Sequence, residues 1–146
     1  MTKADKSIRF DSFIAPAVRR GALKELHFYC LQDDGTDEGI DAQLCEQMNV
    51  QQEFHGDIAS LEAVDASPLI FDLCLDLFNN EDTEFAQGQL WTDAEVVEFI
   101  EAMASHIQKA EVVTVSLSFD YSGTADDTRH LARLVVPRIL ALRAGD

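Results

Sequence analysis

At 146 residues the chain has the length of one domain, and 47% hydrophobic against 26% charged residues excludes global disorder. Its formal charge is −16, and the 84 residues between Lys24 and Lys109 hold 20 carboxylates and no Lys or Arg. That balance excludes a basic nucleic-acid footprint over the middle of the chain and favours metal ions, a guanidinium or a basic partner; a solvated acidic surface or a salt-rich habitat would give it too.

In chain order, Asp11-Ser12 before Phe13, Ile14 and Val18 reads as a capped short helix that carries Pro16 in its first turn and ends at Gly21. Leu23–Leu31 reads as a strand and Asp33-Asp34-Gly35 as the turn that breaks it. Thr36–Gln47 is polar, a loop with a turn of helix; Val50–Phe54 is a short strand and Ile58–Val64 is weakly patterned. Pro68–Leu77 is apolar nearly throughout, as a strand buried on both faces of a parallel sheet should be. Asn79–Gln89 is a loop. Thr92 with Glu95 forms a capping-box pattern, and Val96, Val97, Ile100, Met103, Ala104 and Ile107 recur at helical spacing, which predicts a helix over Thr92–Lys109. Val112–Phe119 is β-branched and alternating, a strand. Gly123-Thr124 opens a last helix, Ala125–Leu142, which Pro137 should kink or interrupt.

Strand–helix–strand–helix order predicts an α/β fold, an open, mostly parallel sheet with flanking helices, over residues 1–146 as a single domain. No apolar run approaches the ~20 residues of a membrane span, and the first ten residues lack a signal-peptide core. Three cysteines (Cys30, Cys45 and Cys74) without a C-x-x-C pair point to a reducing, cytoplasmic setting.

Ligands of open α/β sheets bind beyond the carboxyl ends of the strands. Asp72, Cys74 and Asp76 stand at i, i+2 and i+4 near that end of the Pro68–Leu77 strand, so alternation would put all three on one face, about 6–7 Å apart. Buried carboxylates need a compensating cation or raised pKa values. The other reading ends the strand at Cys74 and leaves Asp76 to cap the next turn in solvent. His27, His55, His106 and His130 are isolated in sequence, and His55-Gly56-Asp57 reads as a turn. No Ser-His-Asp order, G-x-S-x-G elbow, phosphate loop or H-E-x-x-H helix occurs.

LIFDLCLDLFNN, WTDAEVVEFIEAM and EVVTVSLSFDYSGTADDTRHLARLVVPRIL, with DSFIAPAVRRGALKELHFYCL before them, resemble the second half of the arginase-like (ureohydrolase-fold) family that includes peptide arginases. The resemblance implies an arginase/deacetylase-like sheet in a truncated or degenerate form. It also implies a manganese (Mn²⁺) site held by Asp72, Cys74 and Asp76, and hydrolysis of arginine or an arginine-containing peptide to ornithine and urea. Ser116, Ser118 and Asp120 would line the guanidinium pocket. Two features depart from the family pattern: Cys74 replaces an aspartate, and the earlier D-x-H-x-D ligand cluster is missing, so an upstream segment, a homo-oligomer or a complementing chain would have to complete the site. The alternative expectation is a non-catalytic acidic α/β module that binds a basic protein partner or subunit, with no nucleic acid and no membrane.

Overall fold

A computed structural model describes residues 13–30, 39–80 and 89–145. The protein is mixed α/β and divides into two compact units, Met1–Tyr29 with Gly35–His55, and Cys30–Asp34 with Gly56–Asp146. The Asp11-Ser12 cap and the Asp33-Asp34-Gly35 turn lie outside the described residues.

In the first unit α1 (Ile14–Arg19) ends against Gly21, whose φ of 71° suits a residue without Cβ. Strand β1 (Glu25–Phe28) is shorter than the apolar run that predicts it. The polar segment after it contains a true helix, α2 (Ala42–Met48), because Asp41 accepts a hydrogen bond from the Leu44 N–H at 2.9 Å and Asn49 closes the other end in a left-handed conformation. Strand β2 (Gln51–Phe54) runs parallel to β1, with Glu25, His27 and Phe28 opposite Gln51, Glu53 and Phe54. Val18, Leu26 and Val50 form the core, with Ile14, Leu23, Phe28, Ile40, Leu44 and Met48 packed around it.

The second unit begins with α3 (Ile58–Glu62), capped by the Asp57 carboxylate on the Ser60 N–H at 2.7 Å. Strand β3 (Ile70–Cys74) pairs in parallel with β4 (Val112–Ser116). The predicted strand Pro68–Leu77 thus stops at Cys74, and Leu75–Phe78 is a 3₁₀ turn. The predicted helix Thr92–Lys109 divides at Met103 into α4 (Asp93–Ala102) and α5 (Ala104–Lys109). The capping box at Thr92 and Glu95 is present in full. Helix α6 (Ala125–Ala144) runs through Pro137 without interruption and carries its own capping box, Thr124 with Asp127. Arg143 at its end donates to the carbonyls of Ile107, Gln108 and Ala110, satisfying groups that the end of α5 leaves open. The core joins Leu73, Leu75 and Phe78 to Val96, Phe99, Ile100, Met103, Ile107, Leu131, Val135 and Ile139, with Phe78, Trp91 and Phe99 in mutual edge-to-face contact.

One open sheet is therefore not what the described residues build; they form two parallel pairs. A central strand of a parallel sheet must be apolar on both faces. Here one face of each pair is polar, with Glu25, Gln51 and Glu53 exposed on the first and Asp72, Thr114 and Ser116 on the second. Among the described residues no helix is long and apolar enough to cross a membrane.

Candidate metal centre

Alternation along β1 sends Leu26 into the core and leaves Glu25 and His27 on the opposite face. On β2 the same face takes Gln51 and Glu53. His55 joins them one step beyond the strand, because its N–H continues the ladder to the Phe28 carbonyl at 2.8 Å. On the core-side face Phe28 stacks on Phe54, ring centroids 5.5 Å apart. Gln52 there makes paired hydrogen bonds with the Ile40 backbone at 3.2 and 3.0 Å. Gly39 admits this closure: its φ is 77°, and a Cβ there would stand 2.6 Å from Gln52 Oε1 and 2.7 Å from the Phe54 ring.

The result is a compact set of donors. His27 Nδ1 lies 2.9 Å from His55 Nε2 and 3.8 Å from Glu53 Oε2. Glu25 Oε1 accepts from His27 Nε2 at 2.9 Å. A carboxylate only accepts, so His27 carries a proton on Nε2, and one further proton bridges the two imidazoles. His55 is buried, whereas the side chains of Glu25 and Glu53 are 54% and 66% exposed, so the cluster is open to solvent on its acidic side. Among the described residues, His27, Glu53 and His55 are the one group that brings three such donor atoms within 4.8 Å of one another. Two donors bound to a tetrahedral zinc ion at about 2.05 Å stand about 3.3 Å apart. The observed 2.9 and 3.8 Å bracket that spacing.

The residues predicted from the resemblance lie in the second unit. Asp72 is exposed on β3 and accepts a hydrogen bond from the Thr114 hydroxyl, its register partner. Cys74 sits opposite Ser116 and bonds the Ser118 hydroxyl, and Ser116 and Ser118 are 3.4 Å apart. Burial pushes the Cys74 thiol up to about 11, and the neighbouring Asp76 carboxylate adds to the rise against the lowering bond from Ser118. Asp76 belongs to the 3₁₀ turn rather than to the strand, so the column of three side chains on one strand face is not formed. Ser118 and Asp120 fall in the connection after β4, with left-handed φ values of 45° and 75°. That connection is held by the buried Ser122 hydroxyl, 2.8 and 2.9 Å from the Leu117 and Ser118 carbonyls and 2.7 Å from Thr128 Oγ1. The structure thus brings Cys74, Ser116 and Ser118 together beside Asp76 and leaves Asp72 engaged with Thr114.

The other histidines have separate roles. His106 bonds the Val64 carbonyl at 2.8 Å, and His130 pairs with Asp93 at 2.7 Å on the surface. His27 and His55, isolated in sequence, are the two that meet. No family model, curated protein or solved structure matches this chain.

Proposed function

We propose that this chain binds one divalent transition-metal ion between β1 and β2, with His27 Nδ1, His55 Nε2 and Glu53 Oε2 as its protein donors. The observation that carries the reading is the convergence of one donor atom from each of these three residues within 4.8 Å. Two imidazoles and one carboxylate form the donor set of zinc centres that keep a position for water, and imidazole favours zinc and its neighbours over magnesium or calcium. A metal with an open position can polarise a substrate carbonyl or lower the pKa of bound water, so hydrolysis is the chemistry such a centre offers. Purified protein loaded with zinc and desalted is expected to retain one zinc per chain. His55→Ala should lose it, and His130→Ala, which alters a surface pair, should keep it. Equal retention in all three, or in none, overturns the proposal.

The arginase-like reading is the second proposal: hydrolysis of arginine or peptidyl arginine at the carboxyl ends of β3 and β4. In its favour is the clustering of Cys74, Ser116 and Ser118 with Asp76 there, next to the connection that carries Asp120. Manganese fits this set less well than zinc fits the first, because Cys74 is a soft donor that keeps its proton and Asp72 is already engaged by Thr114. Urea released from arginine or an arginine-containing peptide with added Mn²⁺ would establish it, and no urea from either would end it.

A further inference from the structure

We infer that Glu25 is the positioning residue of the β1–β2 centre, holding His27 so that Nδ1 faces the metal. This inference rests on the metal reading of that cluster and deepens it. An imidazole has two ring nitrogens, and which of them is free to bind a metal is decided by what the other one holds. Glu25 is two residues before His27 on the same strand, so the strand period places both side chains on one face. Its Oε1 lies 2.9 Å from His27 Nε2, on the far side of the ring from His55 and Glu53. The carboxylate therefore fixes the proton on Nε2, leaves the Nδ1 lone pair pointing at the other two donors, and makes that nitrogen a stronger donor. Glu25 itself stands outside the group of three donors. Glu53 and Glu25 thus divide the work: one carboxylate binds the metal, and the other orients a ligand.

The alternative is that Glu25 acts only as one more surface charge that attracts any cation. The two roles separate experimentally. Zinc affinity is measured by competition with a chromogenic chelator for wild type, Glu25→Ala, Glu25→Gln and Glu53→Ala, at low salt and at about 0.5 M, where exposed charges are screened. Cobalt-loaded samples supply the visible spectrum of the ligand field. A positioning role predicts a loss of about 10–100-fold for Glu25→Ala, undiminished at high salt and accompanied by a shifted cobalt spectrum. Glu25→Gln, which keeps an acceptor oxygen without the charge, should recover most of that loss. Circular dichroism of the metal-free variants should match wild type. If Glu25→Ala binds zinc as wild type does, if its deficit disappears at high salt, or if Glu25→Gln is as weak as Glu25→Ala, the positioning role is overturned while the metal site stands. If wild type binds no zinc, the metal reading fails and this inference fails with it.

Discussion

His27 and His55 are 28 residues apart, and no metal-ligand spacing in the sequence links them. A weaker signal is present: each histidine ends a Glu-x-His triplet, Glu25-Leu26-His27 and Glu53-Phe54-His55. In two parallel strands such triplets place their polar residues on one face, and a register offset of two residues sets His27 opposite Glu53. The triplets were legible; the register that joins them was not, because it is fixed by how Leu26 and Val50 pack and by the closure at Gly39. At Cys74 the reverse holds, since the sequence marks the residue but cannot supply its surroundings. Burial holds this thiol at about 11 against an ordinary 9.0. A thiol that binds its proton more tightly when folded contributes stability that is full below the unfolded pKa and is lost as pH rises from near 9 toward 11. Urea midpoints of wild type should therefore fall more steeply over that window than those of Cys74→Ser. Parallel alkaline limbs in the two proteins would show that the thiol has no part in the loss.

At the scale of elements, the helix starts at Thr92 and Thr124 were legible, whereas those capped by Asp41 and Asp57 were not. Thr92 and Glu95 form the box that their spacing predicts, and the Glu95 carboxyl is lowered by its hydrogen bonds to the Thr92 backbone and hydroxyl. The break at Met103 was not legible. Val96, Phe99, Ile100, Met103 and Ile107 are all buried and follow one helical stripe straight through it, so the apolar spacing carries no mark of two helices. An apolar run likewise cannot distinguish a strand from a 3₁₀ turn, which is why Pro68–Leu77 was too long by its last residues. Pro137 does not interrupt its helix. A proline removes the N–H that would reach the carbonyl four residues earlier, on Arg133. Both residues are exposed, so water can take that carbonyl and the helix continues.

Across the whole molecule, the charge pattern was fully legible, whereas the sheet was not. Alternating strands and helices imply one parallel sheet, yet each pair keeps a polar face, Glu25–Glu53 in one and Asp72–Thr114 in the other, that resists the covering helices such a sheet requires. Glu25, Glu53 and Asp72 on those faces belong to the acidic stretch of 84 residues without Lys or Arg, and Thr114 lies beyond it. A net charge of −16 on a chain of this size has two opposed consequences. The carboxylates repel one another in the folded state, which lowers stability, and their field draws divalent cations toward the protein, which raises the rate of capture. Both effects are screened by salt. Raising NaCl from about 0.01 to about 0.5 M should therefore raise the thermal midpoint of the metal-free protein and slow zinc association in stopped-flow mixing. Screening acts on long-range charge and leaves the donor geometry of His27, Glu53 and His55 untouched, so zinc dissociation should change far less than association. A thermal midpoint that stays flat over this range would mean that the carboxylates are too far apart to oppose folding. An association rate that stays flat would mean that the centre captures its metal without help from the acidic surface.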